Sequence, residues 1–64
     1  MSISPRIMRI DEVKATTGMS RSTIYNMAQE GTFPKPIKLG GHSSGWIDQE
    51  VYGWIKQRIL ERDQ

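Results

Sequence analysis

The chain has 64 residues, nine Lys or Arg against seven Asp or Glu for a formal charge of +2, and no cysteine. A chain this short buries only about 60% of the surface its unfolded form exposes, so it supports one small core without help from disulfides or a thiolate metal site, and the lone His42 cannot build a zinc site. No apolar run approaches the roughly 18 residues of a membrane span, and the N-terminus lacks the apolar stretch of about 7–15 residues of a signal peptide, so a soluble, cytoplasmic, cofactor-free protein is expected.

Met1–Pro5 is polar, contains a proline and is expected to fray. Arg6–Ile10 is β-leaning and offers a short edge strand to a later hairpin. Asp11 reads as the N-cap of a first helix, with Glu12 suited to its positive end. Val13 faces the core in two turns that end near Thr17, where Gly18 supplies the positive φ of a tight exit. Ser20 then caps a second helix. Its apolar positions, Ile24, Met27 and Ala28, lie three and four residues apart on one stripe, and Gly31 closes it after Glu30.

Thr32–Pro36 is extended, because residues preceding Pro34 and Pro36 are pushed out of the helical region. Ile37 and Leu39 alternate with Lys38, the pattern of a strand with one buried face. Gly40-Gly41 marks a turn, His42, Ser43, Ser44 and Gly45 form an exposed polar tip, and Trp46-Ile47 is the return strand. Asp48 caps the last helix, with Glu50 in its first turn. Val51, Trp54, Ile55 and Ile59 make its apolar stripe, and Arg58 and Arg62 suit its C-terminal end. Gly53 costs about 1 kcal/mol against Ala in a helix interior, so either backbone packs closely there or the residue has no special role. The order is α-α-β-β-α in a single domain over residues 1–64: mainly α with a small β-hairpin.

Two short helices joined by a glycine turn and followed by a hairpin describe a winged helix-turn-helix, whose second helix enters the DNA major groove. The buried stripe leaves Arg21, Ser22, Thr23, Tyr25 and Asn26 to face outward. Ser20, Ser22 and Thr23 suit phosphate oxygens through their hydroxyls and the free N–H groups at the helix start. Arg21 suits phosphate or guanine O6/N7, and Asn26 suits adenine N6/N7. Tyr25 has a mixed character, with its ring against the core and its hydroxyl toward the DNA backbone. In the wing, Lys38, His42, Ser43 and Ser44 are the candidate donors to phosphates or the minor groove. Between Val13 and Ile47 the basic side chains are Lys14, Arg21, Lys35, Lys38 and His42, against Glu30 alone. A capped helix with a solvated face and a hairpin tip built of turn residues would account for the same residues without any ligand. Arg6 and Arg9 read first as solvated surface.

Trp46, Trp54, Phe33 and Ile55 fall on buried stripes, which favours a core over a stacking platform for single strands. Asp11/Glu12 and Asp48/Glu50 are accounted for as helix starts rather than as a general acid–base pair. With no nucleophile set and no room to enclose a substrate, an enzyme is not expected.

Three segments, Met19-Ser20-Arg21-Ser22-Thr23-Ile24-Tyr25, Gly31 to Gly41, and Gly45-Trp46 followed by Val51 and Trp54-Ile55, resemble the AlpA family of short phage and prophage regulators. That family is related to excisionases and to the DNA-binding domain of MerR-type regulators. The resemblance runs from about Arg6 to Ile59. It implies a winged helix-turn-helix on double-stranded DNA, with Arg21, Ser22, Thr23, Tyr25 and Asn26 on the reading helix and Lys38 to Ser44 in the wing. It also implies control of a prophage integrase or excisionase, with integrase or RNA polymerase as partners, self-association on adjacent sites and a place on the nucleoid. Two departures stand out: the family often has a basic residue where this chain has Asn26, and another where it has His42. Fewer phosphate contacts imply a shallower salt dependence.

The expected function is therefore sequence-specific regulation of transcription in a prophage or integrative element. An excisionase-like factor that bends attachment-site DNA is one alternative. The other is a protein-interaction module that uses Tyr52, Gly53 and Leu60 of the last helix.

Overall fold

A computed structural model describes residues 4–62. Along the chain run β1 (Ile7–Met8), α1 (Ile10–Thr17), α2 (Arg21–Glu30), β2 (Ile37–Gly40), β3 (Ser43–Ile47) and α3 (Asp48–Arg62). The fold is the expected one, three helices and a small antiparallel sheet in a winged helix-turn-helix, with the N-terminal edge strand formed. The strand order is β1-β3-β2, so β3 is the central strand. Ile7 pairs with Ile47 and Met8 with Trp46 on one side, and Ile37 pairs with Gly45 and Lys38 with Ser44 on the other. The fraying expected of Met1–Pro5 falls in part on residues 1–3, outside the described residues.

The helix-turn-helix corner depends on Gly18, which ends α1 at φ 75° while its N–H donates to the Lys14 carbonyl at 2.8 Å. A side chain would strain that left-handed conformation. Helix α2 opens at Ser20 and ends against Gly31, as its sequence pattern predicts. It packs against α1; Ile24 and Ala28 are buried, while Met27 is half-buried.

The start of α1 differs from the sequence reading. Strand β1 passes into α1 across the single residue Arg9, whose extended backbone takes the N-cap position without a side-chain hydrogen bond. Asp11 therefore lies inside the first turn beside Glu12, where both favour the helix dipole but neither caps.

The core comprises Met8, Val13, Ile24, Phe33, Trp46 and Val51, with Ala28 beside them. Trp46 is wholly buried and its indole N–H donates to the Pro34 carbonyl at 2.7 Å. Trp54 is only half-buried, yet its indole donates to the Thr32 carbonyl at 2.7 Å and its ring meets Phe33 edge-on at 4.9 Å. Two indoles and one buried phenyl thus hold the Thr32–Pro36 segment, which fixes how the hairpin stands relative to α2. At the opposite corner, the Arg6 N–H donates to Asp48 Oδ1 and the Asp48 N–H to the Arg6 carbonyl, tying the approach to β1 to the start of α3.

Three further expectations are corrected, and the open question of Gly53 is settled. Ile37 and Leu39 are about two-fifths exposed, because β2 is the edge strand and the core-facing place in the sheet goes to β3. The chain reverses at Gly41-His42, one residue later than expected, because Gly40 stays in β2 and pairs with Ser43; Ser43, Ser44 and Gly45 are therefore strand residues and not the tip. Ile59 is exposed, because α3 outruns the core and every described side chain from Lys56 onward faces solvent. Gly53 has open space where a Cβ would stand, which removes close packing as its reason. Gly45 is the glycine that packing requires. A Cβ there would run into the Ile7 side chain and lie 3.3 Å from the Met8 carbonyl, so only glycine lets β1 close on β3.

Candidate nucleic-acid interface

Helix α2 begins in a closed polar exchange. Ser20 Oγ accepts from the Thr23 N–H at 3.2 Å and donates to Thr23 Oγ1 at 2.9 Å. The two hydroxyls are committed to each other. The first-turn N–H groups of Arg21 and Ser22 have no partner within the helix and are open to an anion.

Next comes a stack. The Tyr25 ring is half-buried and meets Trp46 edge-on, with centroids 5.5 Å apart and an interplanar angle of 62°. The Arg21 guanidinium lies 5.4 Å from the centroid of the same ring. A buried residue of β3 therefore braces an aromatic ring, which in turn seats the only cation of α2. The Tyr25 ring thus lies against the core, as its position in the sequence suggests.

Ser22 and Asn26 are exposed and make no hydrogen bond among the described residues. One residue missed in the sequence joins them. Gln29 is exposed, seven residues from Ser22 and three from Asn26, so it continues their stripe. That periodicity is present in the sequence. Lys35 counts among the basic side chains between Val13 and Ile47, but nothing in its Pro-x-Pro segment sets it beside α2. In the structure Lys35 and Pro36 face Tyr25, Ala28 and Gln29 across a shallow groove of about 410 Å³.

The wing is smaller than expected. Lys38 is exposed on β2 opposite Ser44, and His42 is exposed in the turn. Ser43 and Ser44 are half-buried in β3. Lys38 and Ser44 are thus brought together by strand register, while the tip presents His42 with little else.

Charge pairing separates the cations. Arg6 binds Glu12 at 3.1 Å; that hydrogen bond, with the carboxylate's charge, holds its guanidinium above the ordinary pKa. Arg58 pairs with Glu61 at 3.3 Å and lies 5.6 Å from the Trp54 ring centroid. Among the described residues no ion pair engages Arg21, Lys35 or Lys38. No group of three or more His, Cys, Asp or Glu among the described residues could hold a metal ion, and no described helix is long and apolar enough to cross a membrane.

Residues 6–59 match the family model for the prophage CP4-57 regulatory protein (AlpA). The chain is 42% identical over 57 residues to the uncharacterized protein ORF88 of Enterobacteria phage P4, an alignment that covers 89% of this chain and 65% of that protein. It is also 42% identical over 59 residues to a protein of Escherichia coli (strain K12) described as the DNA-binding transcriptional activator AlpA, covering 83% of this chain and 84% of that one. The chain thus spans just under two thirds of the phage P4 protein's length.

Proposed function

Because the chain belongs to the AlpA family, we propose that it is a DNA-binding transcriptional regulator of a prophage or integrative element. Helix α2 lies in the major groove, and the β2–β3 wing lies on the adjacent groove or backbone. The observation that carries this reading is the outer face of α2. Arg21 is seated on Tyr25 without an anionic partner, and Ser22, Asn26 and Gln29 beside it have unused hydrogen-bonding groups. The description of the E. coli relative as a DNA-binding transcriptional activator supports the same assignment. Ser20 and Thr23 hold the helix start, Lys38 and His42 supply the wing's donors, and Ser43 and Ser44 contribute from the strand. RNA polymerase or an integrase is the protein partner at the site, with further copies of the chain on neighbouring sites.

The test is a titration of the chain onto random and own-locus duplexes, including the region upstream of a neighbouring integrase gene, at two salt concentrations. Selective binding that weakens with salt is expected, and Lys35→Gln should flatten the log–log salt slope by about 0.9 if Lys35 neutralises one phosphate. A footprint over one promoter site supports the regulator, and a run of short repeats with bending supports an excisionase-like role. A folded chain that binds no duplex at low salt overturns the reading and turns attention to Tyr52 and Leu60, exposed on α3.

A further inference from the structure

We propose that Asn26 and Gln29 form an adenine-reading pair that addresses neighbouring base pairs from the centre of the α2 face. This rests on the placement of α2 in the major groove and deepens it by naming the class of sequence that the helix selects.

Helix phase and side-chain chemistry carry the inference. At about 100° per residue, Ser22, Asn26 and Gln29 fall within one narrow stripe opposite the side on which Ile24 and Ala28 are buried. Asn26 and Gln29 are exposed, and neither amide has a hydrogen-bond partner among the described residues. Three residues of helix advance about 4.5 Å, comparable with the rise of about 3.4 Å between base pairs. The two amides therefore reach successive pairs or straddle one.

A carboxamide presents one donor edge and one acceptor edge side by side. In the major groove adenine alone among the bases answers with an acceptor, N7, next to a donor, N6. Guanine shows two acceptors there and is matched by a cation, but the stripe itself has none. Arg21 is set at its flank, drawn toward the Tyr25 ring. Glu30, at the end of α2, sets a negative charge beside the stripe that disfavours a phosphate there. Lys35 lines the same groove as Gln29 and is a cation able to hold the backbone of the strand being read. The selected site therefore carries two adenines, adjacent or one step apart, at the centre of the α2 footprint, with any guanine contact displaced toward the Arg21 end.

The experiment is selection of duplexes from a randomised pool with the full chain, followed by binding to the selected duplex with each adenine replaced in turn by 7-deazaadenine. That base keeps pairing and shape but lacks the N7 acceptor. Two positions should each lose roughly 5- to 150-fold in affinity. Asn26→Ala should abolish the effect of the substitution at one of them and Gln29→Ala at the other. Both side chains are exposed and Ala favours a helix, so melting should be unchanged or slightly raised, which separates reading from folding. Selected sites without adenine at these positions, or a 7-deazaadenine series with no effect, overturn the pair while leaving DNA binding intact. A folded chain that selects no duplex overturns the functional reading, and the adenine pair with it.

Discussion

Helices α2 and α3 both follow a turn or strand with a polar first residue, yet they meet the rest of the molecule in different ways. Helix α2 is held on more than one side, against α1 and, through Tyr25 on Trp46, by β3; it buries Ile24 and Ala28, and its outer face is polar with a single cation. Helix α3 is longer, 15 residues against 10, but only its first half packs, through Val51, Trp54 and Ile55. Its outer half exposes Ile59 and Leu60 among paired charges. A short helix braced by the core can hold side chains at a fixed angle to a groove. The free end of a long one cannot, and its apolar exposure is suited to a different kind of contact.

Four substitutions test that contrast, beginning with the residue on which the bracing depends. Trp46→Ala removes a fully buried indole and its bond to Pro34, and should cost about 3–5 kcal/mol in urea or thermal unfolding. In a chain this small that is most of the stability, so the variant should be largely unfolded at 25 °C. A Trp46→Ala chain that melts like the parent would mean that α2 is braced by something else.

Arg21→Glu comes second. It should leave melting unchanged and weaken duplex binding by about 100-fold, or about 2.7 kcal/mol, because a seated cation becomes a repelled anion. Leu60→Ser on α3 is its counterpart and should leave duplex affinity within about twofold and stability within about 0.5 kcal/mol. The reverse outcome, with binding lost at Leu60 and kept at Arg21, would exchange the roles of the two helices.

A modest effect on stability alone belongs to the start of α2. Ser20→Ala leaves the Thr23 N–H without its acceptor and should cost about 1 kcal/mol, lowering the melting temperature by about 4–8 °C. An unchanged melting curve would show that core packing alone sets where α2 begins.

Much of this contrast was legible in the residues. Ser20 and Gly31 bound α2 because a capping hydroxyl and a left-handed glycine act within a few residues of themselves. The stripe of Ile24 and Ala28 followed from helical period. The wing was read less well. Ile37-Lys38-Leu39 has the alternation of a half-buried strand, but alternation does not say whether a strand is central or at an edge, and β1 occupies the far side of β3. Ser43 and Ser44 read as a loop because serines favour turns, whereas pairing with Lys38 and Gly40 draws them into β3.

The sequence by itself determined the elements governed by local chemistry: the two glycine-ended helices, the hairpin, the polar outer face of α2 and the absence of any covalent staple. Tertiary structure alone decided which strand is central, where α3 leaves the core, and why residue 45 must lack a side chain. It also placed Lys35 across a groove from Gln29, and it drew Trp46, Tyr25 and Arg21 into one stack although 25 residues separate Arg21 from Trp46. The physical reason is range. Caps, turns and helical period are set within about four residues, whereas strand order and the bracing of a side chain depend on segments that meet only when the core closes.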